Sequence, residues 1–290
     1  MDLLNAVTIQ IAKIRELNKR IRYLLPEYAY LVLPNGFRFF VYPRDLSGPS
    51  IHVIKRGFFN YENIEVETLL TFLPDDGVMM DVGANVGVFA VRACLERPDA
   101  TVYCFEPEPS VYQCLNRTVQ ANGVQNIKVF DLALSSTSGN STLFVHSANS
   151  GGHSLKPLSA EPDSDVASIN VQTATLDEFI AEKGISRIDV IKVDIQEAEA
   201  DFISGGKESL RRLRPVLMLE ITCADFLHDE NILSHLQRET GLVYRVCDHH
   251  GKAFENRQAI TQYCEEKLSR GRLQDNFFFI PEGVATTDNN

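Results

Sequence analysis

Asp81-Val-Gly-Ala-Asn-Val-Gly87 joins an apolar strand to an apolar helix through a turn that contains two glycines. The run from Val78 to Met80 predicts a buried parallel strand, and the run from Val88 predicts a helix that continues toward Pro98. Glycines allow a tight turn and leave no side chain between the main chain and a ligand. A dinucleotide-binding turn would have three glycines spaced G-x-G-x-x-G, with a pyrophosphate at the helix N-terminus. Here the spacing is G-x-x-x-G, and the Asp81 carboxylate just before it would repel a pyrophosphate.

A second carboxylate follows the next predicted strand. The strand from Thr101 to Phe105 ends in Glu106-Pro107, one βαβ unit after Asp81. An acidic residue at this distance can accept hydrogen bonds from both hydroxyls of a ribose, and Pro107 ends the strand. The negative charge of Asp81 suits a cofactor that carries an ammonium and a sulfonium group. The two carboxylates together therefore predict a site for S-adenosylmethionine, and structural turn residues are the alternative interpretation.

With these residues the chain resembles the FkbM family of S-adenosylmethionine-dependent methyltransferases. The resemblance extends from about Tyr61 to Thr222. Besides the glycine turn, it includes Phe105-Glu-Pro-Glu-Pro109, Thr175-Leu-Asp177, and Ile188-Asp-Val-Ile-Lys-Val-Asp194 with Ala198-Glu199 after it. Family members tend to have Asp-Val-Glu-Gly where this chain has Asp194-Ile-Gln-Glu197. The loss of that acid and that glycine leaves the local backbone and the catalytic details open.

The order of the predicted elements agrees with this family. From Val78 onward strands and helices alternate, which predicts a mostly parallel sheet with helices on both faces. We expect strands at 78–82, 101–106, 127–132, 188–193, 215–220, 242–247 and 276–280, and helices near 87–96, 109–122, 175–183, 198–212 and 229–239. The resemblance implies an α/β, Rossmann-like class I methyltransferase fold, with a seven-stranded, mostly parallel sheet whose last strand is antiparallel.

The segment before the glycine turn predicts a cap. Residues 3–25 have apolar side chains at helical spacing with basic residues between them, which indicates an amphipathic helix. This helix would pack on the domain or on a second subunit, or it would attach to an anionic membrane surface. Two β-rich runs around Asn35-Gly36 predict a hairpin. We therefore expect an N-terminal helix-and-hairpin cap in residues 1–60, a cofactor-binding methyltransferase domain in 61–282 and a disordered tail in 283–290.

Residues 135–170 interrupt the alternation of strands and helices. Apart from a short strand from Thr142 to His146, this stretch predicts irregular structure, with a glycine-rich loop from Asn149 to Ser154. A long loop on a compact α/β fold is usually functional or mobile. Between the third and fourth strands it would lie at their carboxyl ends, over the cofactor.

Composition excludes several classes of function. The formal net charge of −11 argues against a nucleic-acid surface, which would need a basic patch. The sequence also has no Pro-Cys dipeptide and no Asn-Pro-Pro-Tyr or Asp-Pro-Pro-Tyr, the motifs of base methylation. Six scattered cysteines without a C-x-x-C pair predict reduced thiols in a cytoplasmic protein. No apolar run approaches the roughly 20 residues that span a bilayer, so stable membrane insertion is not expected.

Three side chains are candidates for the chemistry. Methyl transfer is an in-line displacement, so the protein must align donor and acceptor, and a hydroxyl acceptor must also lose its proton. Asp194, after the fourth strand, would contact the cofactor's methionine portion or the acceptor, and an N-cap role is the alternative. His153 is the second candidate base and a candidate substrate contact, or else a surface histidine without a role. Glu220 is a candidate substrate contact or a solvated strand end.

The expected cofactor contacts come from the ends of the first four strands and from the segment before them. Tyr61 would close over the cofactor's amino-acid end or would simply pack. The resemblance adds Asp131 and Ala133 as contacts on the adenine side. The full predicted set is Tyr61, Asp81, Gly83, Ala84, Asn85, Gly87, Glu106, Pro107, Asp131, Ala133 and Asp194. No metal is expected, because the neighbouring His249 and His250 would point to different sides.

The resemblance implies an S-adenosylmethionine-dependent O-methyltransferase that leaves S-adenosylhomocysteine. Its acceptor would be a hydroxyl of a small molecule, a sugar or a secondary metabolite. One alternative is a nicotinamide oxidoreductase, which would need the third glycine. Another is a cofactor-binding or partner-binding protein without turnover, to which the changed Gln196-Glu197 gives weight. The acceptor pocket would be built from the cap and residues 146–165, which contain no readable motif. The N-terminal helix also suggests a homodimer.

Overall fold

The computed structural model describes residues 3–14, 21–157 and 166–284. The N-terminal part contains α1 (Leu3–Lys13), β1 (Ala29–Val32), β2 (Arg38–Val41), α2 (Pro49–Arg56) and α3 (Asn63–Leu70), with 3-10 turns at Arg22–Leu24 and Phe58–Asn60. Strands β1 and β2 pair antiparallel, which confirms the predicted hairpin. The helix predicted over residues 3–25 is wrong in its extent, since α1 ends at Lys13, and residues 15–20 lie outside the described residues.

From Val78 onward strands and helices alternate as predicted, except between residues 127 and 174, where four described strands follow one another. The elements are β3 (Val78–Val82), α4 (Val88–Glu96), β4 (Thr101–Phe105), α5 (Pro109–Asn122), β5 (Ile127–Phe130), β6 (Ala133–Leu134), β7 (Gly139–His146), β8 (Val166–Ala174), α6 (Leu176–Lys183), β9 (Val190–Val193), α7 (Glu199–Leu213), β10 (Val216–Thr222), α8 (Ile232–Thr240), β11 (Tyr244–Cys247), α9 (Arg257–Ser269) and β12 (Gln274–Pro281). Shorter 3-10 turns lie at Ser150–Gly152 and Cys223–Leu227.

Within the described residues, the main sheet has seven strands in the order β11-β12-β10-β9-β3-β4-β5. Strands β10, β9, β3, β4 and β5 pair in parallel, whereas β12 runs antiparallel to both of its neighbours. The antiparallel last strand is inserted between β10 and β11. This arrangement confirms the expected α/β class I methyltransferase fold.

Both faces of the sheet are covered, which is why its strands are almost wholly apolar. One hydrophobic cluster joins Met79 and Val102 of the sheet to Ile9, Phe39 and Ile51 of the N-terminal part. Another lies on the opposite face, where helices α6 to α9 contribute side chains. The N-terminal part therefore shares a core with one face of the sheet, and the boundary expected near residue 60 stays a prediction.

Over residues 135–170 the predicted turn, the strand from Thr142 to His146 and the loop after Asn149 are confirmed, but β7 begins earlier, at Gly139, and the expectation of irregular structure is wrong from Val166 onward, where β8 begins. In the described part of this stretch, β7 pairs antiparallel with β8, and β8 pairs with β6 in a three-stranded sheet. Only Val171 and Thr173 of β8 are buried, so polar residues on its exposed face hide the strand pattern. Helix α9 was likewise not predicted, since only Ile260 and Cys264 of it are buried.

Two further expectations concern the ends of the chain and membranes. Residues 285–290 of the predicted tail lie outside the described residues. Among the helices of the described residues, none has the length and apolar character needed to cross a bilayer.

Candidate active site

A cavity lies at the sheet edge where β3, β4 and β9 end. This is the edge at which ligands bind in open α/β sheets. Its walls include the predicted residues Gly83, Asn85, Glu106, Pro107, Ala133, His153 and Asp194. The structure therefore brings together residues from four strand ends and from the glycine-rich loop.

The glycine turn forms the floor of this cavity, and both glycines have positive φ, 72° at Gly83 and 85° at Gly87. A Cβ atom on Gly83 would overlap the main-chain carbonyl oxygen of Asp194. A Cβ atom on Gly87 would overlap the side chain of Leu115 in α5. These positions need glycine for backbone conformation and for space, because the turn is pressed against β9 on one side and α5 on the other.

Glu106 presents an anchored carboxylate to the cavity. Oε2 accepts a hydrogen bond from the main-chain N–H of Asn85 at 2.9 Å, and Oε1 accepts one from the main-chain N–H of Glu108 at 3.0 Å. The side chain is buried, and this burial raises the pKa of the Glu106 carboxyl to about 8, although the two N–H donors oppose the rise. Each oxygen has a further lone pair, so the group can still accept two hydroxyl donors.

Asp81 lies behind the turn and outside the cavity lining. Its carboxylate is fully buried, and Oδ1 is 3.6 Å from Nζ of Lys192. Neither carboxylate oxygen of Asp81 has a hydrogen-bond partner among the described residues. Burial raises the pKa of the Asp81 carboxyl, and Lys192 acts in the opposite direction. A direct contact between Asp81 and a cofactor stays a prediction, since the structure places its charge beside a lysine.

Lys192 is a site residue that the sequence reasoning did not single out, although the family motif contains it. Its ammonium donates to the carbonyl oxygen of Gly83 at 2.8 Å and lies 3.4 Å from Oδ2 of Asp194. Burial opposes its charge, but the carboxylates of Asp194 and Asp81 outweigh this effect and raise the pKa of Lys192. Lys192 therefore ties the glycine turn to the end of β9.

Asp194 is held from its other side by Gln196. The amide Nε2 of Gln196 donates to Oδ1 of Asp194 at 3.0 Å and to Oε2 of Glu220 at 2.6 Å. The N-cap of α7 is Ala198, so the alternative N-cap role for Asp194 is wrong. Burial, followed by the Asp194 carboxylate, raises the pKa of Glu220 well above its usual range.

The two residues that depart from the family pattern, Gln196 and Glu197, have an unusual backbone conformation. Gln196 and Glu197 have φ of 51° and 71°, both in the left-handed region. Glu197 stands where family members tend to have glycine, the residue that adopts this region without strain. The tertiary contacts of this chain therefore impose the conformation on a residue that disfavours it.

Glu220 lies on a neighbouring cavity rather than on the first one. This second cavity is also lined by Glu197, Glu199 and Asp225. Gln196 bridges the carboxylates of Glu220 and Asp194, the latter on the first cavity. Contact between Glu220 and a substrate stays a prediction.

His153 lies on two cavities, the one described first and another that Asp45, Glu108 and His146 also line. Its Nδ1 atom is buried and has no hydrogen-bond partner within the described residues. Burial lowers the pKa of the imidazole to about 4. The ring is therefore neutral at pH 7, and it can accept a proton at a nitrogen that no other group occupies.

Some predicted residues lie outside the cavity lining. Tyr61 stacks on His52, with ring centroids 5.8 Å apart. Ala84 donates its main-chain N–H to the carbonyl oxygen of Phe105 at 3.0 Å and so supports the turn. Gly87 is the N-cap residue of α4. Asp131, which follows β5, is exposed. Their roles as cofactor contacts stay predictions.

The sequence reasoning missed much of the apolar wall and the residues that hold it. The wall contains Phe105, Leu132, Leu134, Leu143 and Leu155, together with Pro49 from the N-terminal part. Leu132 stands between two predicted contacts, so its position could have been found. Nothing in the sequence connects Pro49 or Leu143 with the glycine turn.

No metal centre is evident in the part of the chain that the structure describes. Within it, no group of three or more His, Cys, Asp or Glu side chains could hold a metal ion. His249 instead pairs through Nδ1 with Oδ1 of Asp275 at 3.2 Å.

Comparison with known proteins gives one family match and several relatives. A model of the methyltransferase FkbM domain matches residues 81–246. The chain is 31% identical over 152 residues to the 2-O-methyltransferase NoeI of Sinorhizobium fredii, covering 48% of this chain and 61% of that protein. It is 27% identical over 158 residues to the 31-O-demethyl-FK506 methyltransferase FkbM of Streptomyces tacrolimicus, covering 46% of this chain and 60% of that protein.

A third relative is the hexuronic acid methyltransferase AglP of Haloferax volcanii. It is 26% identical to this chain over 155 residues, which cover 53% of this chain and 59% of that protein. In all three cases the chain spans less than two thirds of the relative's length.

Proposed function

Because this chain belongs to the methyltransferase FkbM domain family, we propose that it is an S-adenosylmethionine-dependent O-methyltransferase that acts on a hydroxyl of a small molecule. The observation that carries the proposal is the buried Glu106 carboxylate, anchored by two main-chain N–H groups at the edge of an apolar cavity. The named relatives support oxygen as the acceptor atom in two cases and a sugar in one. We accordingly propose a sugar or a secondary metabolite as the acceptor.

The residues of the cavity fit this cofactor. Its apolar wall, with Leu132, Leu134 and Leu155, suits the faces of an adenine ring. Glu106 would accept hydrogen bonds from the two ribose hydroxyls. S-adenosylmethionine supplies a methyl group on a sulfonium, which leaves as a thioether.

Asp194 is better placed to hold the cofactor than to act as a base. One of its oxygens lies 3.4 Å from the Lys192 ammonium and the other accepts from Gln196. Both oxygens of Asp194 are thus held by neighbouring side chains, which fixes the orientation of its carboxylate on the cavity. We propose that Asp194 orients the amino-acid portion of the cofactor.

His153 is the proposed base. Its Nδ1 has no hydrogen-bond partner among the described residues but is buried in this conformation, so the ring would turn toward the cavity and then take the hydroxyl proton of the acceptor while the oxygen becomes methylated. A weak base is sufficient for this step, because a hydroxyl that is being alkylated becomes strongly acidic as positive charge develops on its oxygen. The neutral imidazole is available for this role throughout the physiological pH range, since its pKa is about 4.

The proposal is tested by calorimetric titration with S-adenosylhomocysteine, with NAD as the control ligand. Micromolar binding of S-adenosylhomocysteine alone supports the cofactor assignment, and a panel of sugars and other hydroxyl compounds then tests transfer. Binding of NAD alone would favour the oxidoreductase alternative. Binding without transfer to any acceptor would favour the alternative without turnover, which the changed Gln196-Glu197 motivates.

Assembly, location and acceptor class are further parts of the proposal. Exposed apolar side chains on α1, with Leu3, Leu4 and Val7 among them, support a homodimer through this helix. The free cysteines support a cytoplasmic location. The acidic net charge of −11 disfavours a nucleic-acid acceptor.

A further inference from the structure

A buried carboxylate in the N-terminal part holds one wall of the cofactor cavity. Asp45 is only 1% exposed. Its Oδ1 accepts from the main-chain N–H groups of Gly48 at 2.8 Å and Ser150 at 3.3 Å. Its Oδ2 accepts from the main-chain N–H of Ser50 at 3.2 Å and from the Ser150 hydroxyl at 2.8 Å. Asp45 therefore joins its own turn to a segment that lies 105 positions away in the sequence.

Ser150 passes this connection on to the glycine turn. Its carbonyl oxygen accepts a hydrogen bond from Nδ2 of Asn85 at 2.7 Å. The main-chain N–H of the same Asn85 donates to Glu106, as described above. A continuous path of hydrogen bonds therefore leads from Asp45 through Ser150 and Asn85 to the carboxylate proposed to bind the ribose.

Residues 148–155, which we call the strap, form a wall of the cavity through Ser150, Gly151, His153, Ser154 and Leu155. At one end, the main-chain N–H groups of Leu46 and Ser47 donate to the carbonyl oxygen of Ala148 at 2.9 and 3.1 Å. At the other end, the hydroxyl of Ser154 donates to the carbonyl oxygen of Gln196 at 2.5 Å. The strap therefore extends from the N-terminal part to the end of β9.

The turn that contains Gly48 and the segment that contains Ser150 are too close together to admit another atom. A Cβ atom on Gly48 would overlap both the Asp45 carboxylate and the main-chain nitrogen of Ser150. Hydrogen bonds to a charged acceptor are about twice as strong as those between neutral groups. A buried carboxylate that accepts four of them in a tight junction restrains the position of each donor.

We propose that Asp45 is a positioning residue of the cofactor site. Through Ser150 it orients Asn85 and keeps the strap in place, and with the strap it sets the position of His153. The inference rests on the proposed function and assigns to that site a residue outside the matched methyltransferase domain. Asp45 does not line the first cavity, so its effect reaches the cofactor only through the groups it holds.

The test compares three variants by hydrogen exchange and by calorimetric titration with S-adenosylhomocysteine. Asp45→Asn replaces one acceptor oxygen by an NH₂ group that faces N–H donors, and Ser150→Ala removes the hydroxyl while keeping the main chain. Asp189→Asn is the matched control. Its carboxylate accepts from the main-chain N–H of Val78 at 2.8 Å, at the opposite edge of the same sheet.

We expect Asp45→Asn and Ser150→Ala to speed amide exchange of the strap by about tenfold or more, and to weaken S-adenosylhomocysteine binding by a similar factor. Asp189→Asn should change neither quantity, although it lowers the overall stability. Circular dichroism checks that each variant is folded, and Ser150→Ala keeps the test decisive where Asp45→Asn fails to fold.

Unchanged exchange of the strap in folded Asp45→Asn would overturn the inference. So would an increase in exchange that is uniform over the chain, because it would show a general loss of stability and no local release of the strap. If the wild-type protein binds no S-adenosylhomocysteine, the proposed function fails. The exchange of the free protein then decides alone whether Asp45 holds the strap.

Discussion

Replacing Glu106 by Gln should weaken S-adenosylhomocysteine binding by about 10- to 150-fold. In the wild-type protein each carboxylate oxygen accepts one main-chain N–H, from Asn85 or Glu108, and keeps a lone pair for a ribose hydroxyl. Glutamine turns one acceptor into an NH₂ group, which faces a main-chain N–H and cannot accept from the ribose. The loss of one hydrogen bond to a charged group costs about 1.5–3 kcal/mol, which corresponds to this change in Kd.

The pH dependence of binding is a second readout of the same residue. Burial raises the pKa of the Glu106 carboxyl to about 8, so the group holds a proton below this pH in the free protein. The ribose hydroxyls need the carboxylate form, and binding at lower pH must first release that proton. The affinity for S-adenosylhomocysteine should therefore rise with pH by at most about tenfold per pH unit, up to a pH of about 8, and then level off.

The assay is calorimetry at pH 6, 7, 8 and 9 on the wild-type protein, Glu106→Gln and Glu108→Gln. Glu108 is the matched control, because the same charge is removed two residues away at a side chain that caps α5 through the N–H of Val111. Glu106→Gln should lose both the affinity and this pH dependence, whereas Glu108→Gln should keep the affinity at pH 9 and should level off at a lower pH, because the Glu108 charge contributes to the raised pKa of Glu106. Folded Glu106→Gln with wild-type affinity would refute the assignment of this carboxylate to the ribose.

Four further predictions follow from the site and from α1. Lys192→Met should lower the free energy of unfolding in urea by about 3–5 kcal/mol, because Asp81 would keep a buried charge without a cation; unchanged stability would mean that Asp81 is already protonated. Glu197→Gly should raise the free energy of unfolding by about 0.5–1 kcal/mol by relieving a left-handed φ of 71°, and a lower value would show that the side chain is needed. His153→Ala should reduce kcat by about 10²–10⁴-fold, while a change in cofactor affinity alone would make His153 only a binding residue. Deleting residues 1–25 should lower the molecular mass in light scattering from that of a dimer to that of a monomer, and monomeric masses for both the full-length and the shortened protein would exclude the dimer.

The sequence predicted the parts of the fold that depend on local pattern. Strands β3 and β4 are buried apolar runs with clear ends, and α5 begins at a proline after a capping glutamate, so their bounds were predicted to within a residue. The position of Glu106 on the cavity follows from the same local pattern, since this residue comes directly after β4. Strand β8 could not be found in this way, because it lies in a small sheet with one exposed face.

The remaining site residues depend on contacts between distant segments. Asp81 was expected to face the cofactor because it precedes the glycines, but its surroundings are set by Lys192 on another strand. The role of Asp45 is similarly hidden, since its partner Ser150 lies in a stretch without a strong pattern. Such pairings arise from the packing of the whole fold, and the spacing of residues in one segment does not encode them.

The shared core of the N-terminal part and the sheet bears on how acceptor specificity can evolve in this protein. If the N-terminal part contributes to acceptor choice, exchanging it by recombination would also replace Pro49 in the cofactor cavity and Asp45 behind the strap. It would further remove Ile9, Phe39 and Ile51 from the cluster that covers one sheet face. On that premise, donor recognition and acceptor choice would not be independent modules, and point changes would reach new acceptors more readily than transplanting the segment.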